Sequence, residues 1–373
     1  MNVFLIAAPY QILNSLEAIE RMQLVSNALV VLDTGMFQRD TYMRMIDRQY
    51  WQSIQFVSFR YRLVDRDFGA KGPRNLYERL LELYLVIDQM LKRWKIDRLC
   101  ASVGHVENLF LGNYLNDYDL HMRHVANRMR YEKLFLLDVG TDTLRIGRQR
   151  LQEQKGKLSY PLAKTYPKQV SGPRNGSWLA KLKHTIRYRF VEWNGEGVPR
   201  LTFFTCYEIE AHSSDAVILN DYRCLQSRLQ NTRRREAVYF VGQPVVDQQY
   251  VHLETFQSYM RRVAAYFGGK RVVYVPHPRE SECYVNLVKG EFGFSVRQYD
   301  VPIELAITLE EEVPCAVASF FSSALVNLAI MLGESVELTA FYMPERDLLK
   351  DVEVVEQTYR QMRSMKGNHI NIV

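Results

Sequence analysis

The chain has 373 residues, of which 47% are hydrophobic and 24% charged. This length gives room for two domains of ordinary size, each with its own core. The composition excludes collagenous, low-complexity and disordered proteins, and no apolar run reaches the length of about 18 residues that spans a bilayer. The five cysteines are scattered without a C-x-x-C pair, which argues against a zinc site or a disulfide framework and fits a reducing, cytoplasmic compartment.

In the first half of the sequence, apolar runs with strand character alternate with amphipathic helical segments. The N-terminal run 1–9 lacks the basic start of a signal peptide, and we predict that it forms a buried strand. In chain order the predicted elements are strand 3–8, helix 11–23, strand 28–33, strand 54–59, helix 76–94, strand 98–103, helix 106–115 and strand 133–138. This alternation predicts a parallel, doubly wound sheet.

A basic insertion at about 143–199 interrupts the alternation. Between residues 143 and 190 there are twelve Lys and Arg residues against one acid, Glu153, within a chain of net charge +6. Such a stretch attracts anionic partners. No nucleic-acid-binding motif accompanies it, which leaves an acidic glycan, an anionic membrane surface or a solvated insertion. Residues 178–193 are predicted to form an amphipathic helix, which would lie on the inner membrane or pack within the protein or across a dimer.

A second α/β series follows a short strand predicted at 216–219. Its predicted elements are strand 237–241, helix 253–267, strands 271–275 and 294–299, helix 302–309, strand 315–320, helix 324–332, strand 336–340 and helix 345–362. We predict an N-terminal domain at 1–230, a C-terminal domain at 231–345, and a C-terminal helical segment at 346–373 that crosses back to the first domain.

Polar residues follow two predicted strands of the second series. His277-Pro278 comes after strand 271–275, and Ser322-Ser323 comes after strand 315–320. Ligands of open α/β sheets bind at the carboxyl ends of the strands, and a helix N-terminus there favours an anion. His277 lies between two prolines, which keep the segment out of a helix, so its imidazole sits on a rigid turn.

Each of these residues also has a purely structural interpretation. Ser322 and Ser323 have the pattern of an ordinary N-cap, and Glu304 opens a helix where an acid complements the dipole. Asp138, followed by Val139-Gly140 after strand 133–138, is placed either to cap a turn or to act as a general base. G-x-S-x-G, P-loop and G-x-G-x-x-G motifs are absent, which argues against hydrolase, triphosphatase and dinucleotide-binding functions.

In their order and spacing, these motifs resemble the bacterial sialyltransferases of glycosyltransferase families 52 and 38, and more distantly family 80. Those families carry an acidic pair followed by glycine, then a His-Pro motif, then Ser-Ser or Ser-Thr. The corresponding motifs here are Asp138-Val139-Gly140, His277-Pro278 and Ser322-Ser323, with further similarity in Pro9-Tyr10-Gln11-Ile12-Leu13-Asn14, Gly112-Asn113-Tyr114 and Gly242-Gln243-Pro244.

The resemblance implies a GT-B fold, in which two Rossmann-like doubly wound domains face a central cleft. It implies an inverting sialyltransferase that needs no metal or other cofactor and moves sialic acid from CMP-sialic acid to a bacterial surface glycan, lipo-oligosaccharide or capsule. Asp138 would be the general base, and His277 would protonate or bind the leaving phosphate. The implied CMP-binding residues are Gly242, Gln243, Pro278, Glu304, Ser322 and Ser323, and the implied acceptor-binding residues are Gln11, Asn14 and Asn113.

One departure from the family pattern keeps alternatives open. Val139 stands where those families have a second acid, although Asp142 is close. The donor could therefore carry another CMP-activated ulosonic acid, such as pseudaminic acid, legionaminic acid or Kdo. A non-catalytic glycan- or membrane-binding protein on a GT-B scaffold is the alternative from a different class, and the resemblance also allows a homodimer.

Overall fold

The computed structural model describes residues 1–35, 37–59, 76–114, 122–138, 142–154, 198, 200–365 and 370–373. Contacts within the chain define two compact units, Met1–Asn220 and Asp221–Val373. The first unit therefore ends earlier than the domain predicted at 1–230. The predicted amphipathic segment 178–193 lies outside the described residues, and of the linker at 194–199 only Val198 is described.

The first unit is built on a parallel seven-stranded sheet. Its strands are β1 (Asn2–Ile6), β2 (Asn27–Asp33), β3 (Ser53–Ser58), β4 (His105–Leu111), β5 (Arg130–Leu137), β6 (Thr202–Thr205) and β7 (Ala216–Leu219). They lie in the order β3-β2-β1-β4-β5-β6-β7, and each neighbouring pair is parallel. Every residue of β1 is buried, as expected for a central strand covered on both faces.

The helices of the first unit correct two predictions. They are α1 (Tyr10–Met22), α2 (Arg39–Met45), α3 (Leu76–Val103), α4 (Met122–Arg128) and α5 (Asp142–Gln154). The strand predicted at 98–103 is the end of α3, and the helix predicted at 106–115 is β4. Gly104, at φ +73°, follows the last residue of α3 in the left-handed conformation typical of a helix C-terminus. The apolar residues after it are buried between β1 and β5.

Arg150 belongs to the basic stretch, but it is a structural residue. Its side chain is only 2% exposed, and its Nη2 lies 2.7 Å from Oδ1 of Asp215, whose side chain is fully buried. Its Nε donates to the other oxygen of that carboxylate, and its Nη1 donates to the carbonyl oxygen of Val198 at 2.7 Å. Arg150 thus connects α5 to the segments that flank β6, and its charge is already neutralised within the unit.

The second unit contains a parallel six-stranded sheet. Its strands are β8 (Arg233–Val241), β9 (Val272–Val275), β10 (Ser295–Val296), β11 (Glu312–Ser319), β12 (Glu337–Ala340) and β13 (Ile370–Ile372). Their order is β10-β9-β8-β11-β12-β13. The chain runs outward from β8 in one direction and then starts again on the other side of β8, which is the strand order of a Rossmann sheet. The predicted α/β, doubly wound architecture is confirmed in both units.

The C-terminal segment is an integral part of the second unit. The helices here are α6 (Arg223–Gln230), α7 (Leu253–Tyr266), α8 (Glu282–Phe292), α9 (Ile303–Leu309), α10 (Ser323–Leu332) and α11 (Val352–Ser364). Helix α11 packs against α10 and β13, and the buried Tyr359 hydroxyl donates to the Phe341 carbonyl oxygen. Whether the predicted segment 346–373 also crosses back to the first domain stays a prediction, and β13 is a strand that the sequence analysis does not predict. In the described part of the chain, no helix is long and apolar enough to cross a membrane.

Candidate active site

Two of the predicted nucleotide-binding motifs of the second unit lie where its strand order reverses. Strands β8 and β11 are neighbours, and Gly242-Gln243 follows the first while Ser322-Ser323 follows the second. The Ser319 hydroxyl donates to the Val241 carbonyl oxygen at 2.7 Å and lies 3.3 Å from Oε1 of Gln243. In open α/β sheets, the crevice at this switch point is the place where ligands bind.

Helix α10 begins at this switch point. The Ser322 hydroxyl accepts a hydrogen bond from the Ala324 N–H at 3.2 Å, so the predicted N-cap is present. Ser322 is half-buried and Ser323 is exposed. Free N–H groups and the positive end of the helix dipole favour an anion at such an N-terminus. The capping role of Ser322 and its proposed phosphate-binding role are therefore compatible.

His277 follows β9, the strand next to β8, and its ring is oriented by a local hydrogen bond. The Arg279 N–H lies 3.0 Å from His277 Nδ1. Because a backbone N–H can only donate, Nδ1 must accept, and the ring proton of the neutral imidazole lies on Nε2. Adjacent strands are about 4.8 Å apart, which places the ends of β9 and β11 about 10 Å apart on either side of β8. Pro278 is exposed beside His277.

The charge state of His277 favours hydrogen bonding over proton donation. Burial lowers the pKa of the ring below its ordinary value of 6.5, and the nearby Arg279 guanidinium lowers it further. The ring is therefore neutral at pH 7 when no ligand is bound. A neutral imidazole with its proton on Nε2 can donate a hydrogen bond to a phosphate oxygen, but it has no additional proton to transfer.

Glu280 is a site residue that the sequence analysis missed. Its Oε2 accepts the His277 N–H at 2.6 Å, and its Oε1 accepts the Tyr274 hydroxyl at 2.5 Å. Burial raises the pKa of this carboxyl to about 7, and Asp247 also raises it. The signal was an acid three residues after His277 and just before a helix, a spacing that lets a carboxylate fold back onto a turn.

Gly242 has no room for a side chain because Glu280 and Tyr274 lie against it. A Cβ at this position would overlap Oε2 of Glu280 and would lie 2.7 Å from the Tyr274 hydroxyl oxygen. The backbone at the end of β8 therefore approaches these two groups closely. This gives a physical reason for the glycine in the Gly242-Gln243-Pro244 motif.

We expect Gly242→Ala to lower the free energy of unfolding by about 1–3 kcal/mol, because the added methyl group displaces Glu280 from the His277 turn. Binding of CMP should weaken at least about tenfold for the same reason. Gly290→Ala is the matched control: a methyl group added at this position in α8 would have no neighbouring atom within 4 Å, and alanine there should stabilise the helix. Urea unfolding and calorimetric CMP titration test both variants, and equal CMP affinity in wild type and Gly242→Ala would contradict the expectation.

Glu304 lies in the first turn of α9, and its Oε1 accepts a hydrogen bond from Asn327 Nδ2 at 3.0 Å. Asn327 belongs to α10, the helix that begins at the switch point. This contact fixes one carboxylate oxygen of Glu304 at the carboxyl edge of the sheet. The arrangement is compatible with the predicted ribose contact through the other oxygen.

In the first unit, Asp138 directly follows β5 and is completely buried. Its Oδ2 accepts the Cys206 N–H at 2.7 Å, whereas its buried Oδ1 has no hydrogen-bond partner among the described residues. Burial raises the pKa of this carboxyl to about 6, although the Cys206 N–H and the neighbouring Thr205 and Thr143 side chains favour the charged form. A carboxyl group with this pKa is mostly ionised at pH 7 and basic enough to accept a proton. Val139 and Gly140 lie outside the described residues.

The predicted acceptor-binding residues are buried within the first unit. Gln11 Oε1 accepts the N–H groups of Ala7 and Ala8, and its Nε2 donates to the carbonyl oxygen of Gly112. Asn14 Nδ2 donates to the Asp138 carbonyl oxygen at 3.3 Å. Gln11 and Asn14 therefore hold the strand ends in place. Asn113 is only 6% exposed, and acceptor binding by all three residues stays a prediction.

Two features bear on cofactors and cavities. Among the described residues, no group of three or more His, Cys, Asp and Glu side chains is placed to hold a metal ion.

A cavity of about 350 Å³ lies at the amino-terminal ends of β9 and β10, between residues such as Phe267, Arg271 and Phe294. Because these strand ends lie at the opposite edge of the sheet from His277, this cavity is separate from the predicted site.

No family model and no curated protein matches the chain. Among solved structures, it is similar to E. coli heptosyltransferase WaaC with ADP-2-deoxy-2-fluoro heptose, at 11% identity over 98% of this chain and 100% of that chain, with a TM-score of 0.43. It is also similar to a family 9 glycosyl transferase from Veillonella parvula, at 12% identity over 91% and 80% of the two chains and a TM-score of 0.39. It is also similar to Acinetobacter baumannii MurG, at 8% identity over 100% of this chain and 86% of that chain, with a TM-score of 0.38. The resemblance to families 52 and 38 stays a prediction.

Proposed function

We propose that the protein is a glycosyltransferase that moves sialic acid from CMP-sialic acid to a hydroxyl group of a bacterial surface glycan. The observation that carries this proposal is the position of Gly242-Gln243 and of the N-terminus of α10, which follow the adjacent strands β8 and β11 at the switch point of the second sheet. In the proposed site, a neutral imidazole, hydroxyl groups and a helix N-terminus oppose the negative charge of the phosphate. The proposed family relationship supplies the CMP-activated donor.

In the proposed reaction, the acceptor hydroxyl attacks the anomeric carbon, and the bond between that carbon and the phosphate oxygen breaks. Asp138 accepts the hydroxyl proton, for which its raised pKa suits it. His277 Nε2–H and the N-terminus of α10 stabilise the charge that develops on the CMP phosphate. Stabilisation of this kind by preorganised donors is typically the largest electrostatic contribution to catalysis.

The proposal is tested by measuring CMP release from CMP-N-acetylneuraminic acid with excess chelator, with and without a lipo-oligosaccharide acceptor. Acceptor-dependent release supports the sialyltransferase assignment. CMP-activated pseudaminic acid, legionaminic acid and Kdo are assayed in parallel. Turnover of only one of these would identify that sugar, and not sialic acid, as the one transferred. CMP binding without turnover of any of these donors would instead favour the non-catalytic binding protein.

A further inference from the structure

Glu280 joins three parts of the second unit at the predicted phosphate site. It accepts hydrogen bonds from the main chain of His277 and from the Tyr274 side chain on β9, and it touches Gly242 at the end of β8. No other described contact holds the His277 N–H. The carboxyl group therefore supports the turn that carries the imidazole.

We propose that Glu280 is a positioning residue of the phosphate site and that nucleotide binding there is coupled to a proton on its carboxyl group. This proposal rests on the proposed function, because it takes a nucleotide phosphate as the ligand. The carboxyl group lies directly against Gly242, which is a predicted CMP-binding residue. An ionised carboxylate at that place repels an anion, whereas the neutral acid does not.

The contacts of Glu280 allow both protonation states. Its Oε2 can accept the His277 N–H in either state. When Oε1 carries a proton, it can donate to the Tyr274 hydroxyl, which then acts as the acceptor. A proton can therefore be gained or lost without breaking the turn. Glutamine reproduces the neutral form, because its carbonyl oxygen accepts from His277 and its amide group donates to Tyr274.

The direction of the pH effect follows from the groups around the carboxyl. Burial and Asp247, from the segment after β8, raise the pKa of Glu280 to about 7, while the Tyr274 hydroxyl and the His277 N–H lower it. Arg279 acts on the His277 ring. Ionisation of Glu280 as the pH rises through 7 therefore weakens anion binding. His277 titrates below pH 6.5, so its protonation strengthens binding only in a lower and separate pH range.

The test uses the methyl esters of CMP, UMP and AMP, whose single phosphate charge is constant between pH 5 and 9. Calorimetry with the full chain should show that the Kd of the bound nucleotide rises about fivefold between pH 6 and 8. In Glu280→Gln this rise should disappear, and the change below pH 6.5 should remain. His277→Gln is the matched control. In this variant the change in Kd below pH 6.5 should disappear, and the rise in Kd near pH 7 should remain.

Tyr274→Phe provides a second variant in case glutamine disturbs folding. Loss of the hydroxyl removes a group that lowers the pKa of Glu280, so the midpoint of the affinity change should move to higher pH. An unchanged rise near pH 7 in Glu280→Gln, or an unmoved midpoint in Tyr274→Phe, would overturn the proposal. Binding of only the UMP or AMP ester would reject the CMP donor while the proton coupling is still measured. No binding of any ester would reject the phosphate site and the coupling together.

Discussion

Asp138→Asn should lower turnover about 10²–10⁴-fold, the usual contribution of a general base. Asparagine keeps the shape of the side chain, and its oxygen can still accept the Cys206 N–H, but it cannot take a proton from the acceptor. In the wild type, turnover should rise with pH through about 6, because the base acts only when ionised. In the variant this rise should disappear.

The same substitution should stabilise the protein above pH 7. Since the pKa of Asp138 is raised from 3.8 to about 6, the folded state binds this proton more tightly than the unfolded chain. As the pH rises from about 4 to 6, the ionising carboxyl group therefore lowers the free energy of unfolding by about 3 kcal/mol, and this loss persists at higher pH. Asparagine stays neutral and avoids this loss.

Both effects are measurable on one set of proteins. Urea unfolding followed by tryptophan fluorescence reports on the first unit, because all four tryptophans precede residue 220. Asp33→Asn, at the carboxyl end of β2 in the same sheet, is the matched control and should change neither turnover nor its pH profile. Full activity in Asp138→Asn would show that another group is the base.

Removal of the His277 ring should have the second-largest effect. His277→Ala should lower the rate of CMP release about 10²–10³-fold, the range expected for one lost hydrogen-bond donor to a developing oxyanion. His277→Gln should retain activity within about tenfold of wild type, because its amide can place an N–H near the position of Nε2. We expect this difference in activity between the alanine and glutamine variants because the lowered pKa of His277 makes the ring a neutral hydrogen-bond donor, a role that glutamine can fill and alanine cannot.

Single-turnover CMP release, with saturating donor, compares the two variants without a contribution from product dissociation. Equal loss in His277→Ala and His277→Gln would show that His277 transfers a proton, because neither replacement can do so.

Much of the fold follows from the sequence because buried parallel strands are recognisable as short apolar runs. Strands such as β1, β2 and β11 were predicted within a few residues. The end of α3 was predicted as a strand and β4 as a helix because 96–100 and 106–111 have similar apolar content, and Gly104 is the only glycine or proline between them. β13 has three residues, and its pairing with β12 depends on contacts between distant segments, which periodicity does not reveal.

The candidate site was predictable in part for a related reason. A polar residue directly after a strand, such as His277 or Ser322, must lie at the carboxyl edge of a parallel sheet. The sequence could not show that Gln11 and Asn14 are engaged by backbone groups, because that depends on how α1 meets β4 and β5. Glu280 was missed because its importance comes from three-dimensional contacts with Tyr274 and Gly242.

A glutamine bridges the switch point in each sheet, and the two differ in accessibility. Gln11 joins the end of β1 to the residue after β4 and is 3% exposed, so the chain itself occupies that crevice. Gln243 contacts Ser319 of β11 but is only half-buried. The two sheets therefore share the strand order around their first strand but differ in how far the amide at the switch point is accessible. If the second unit binds a nucleotide as proposed, engineering a similar site into the first unit would have to begin by replacing Gln11.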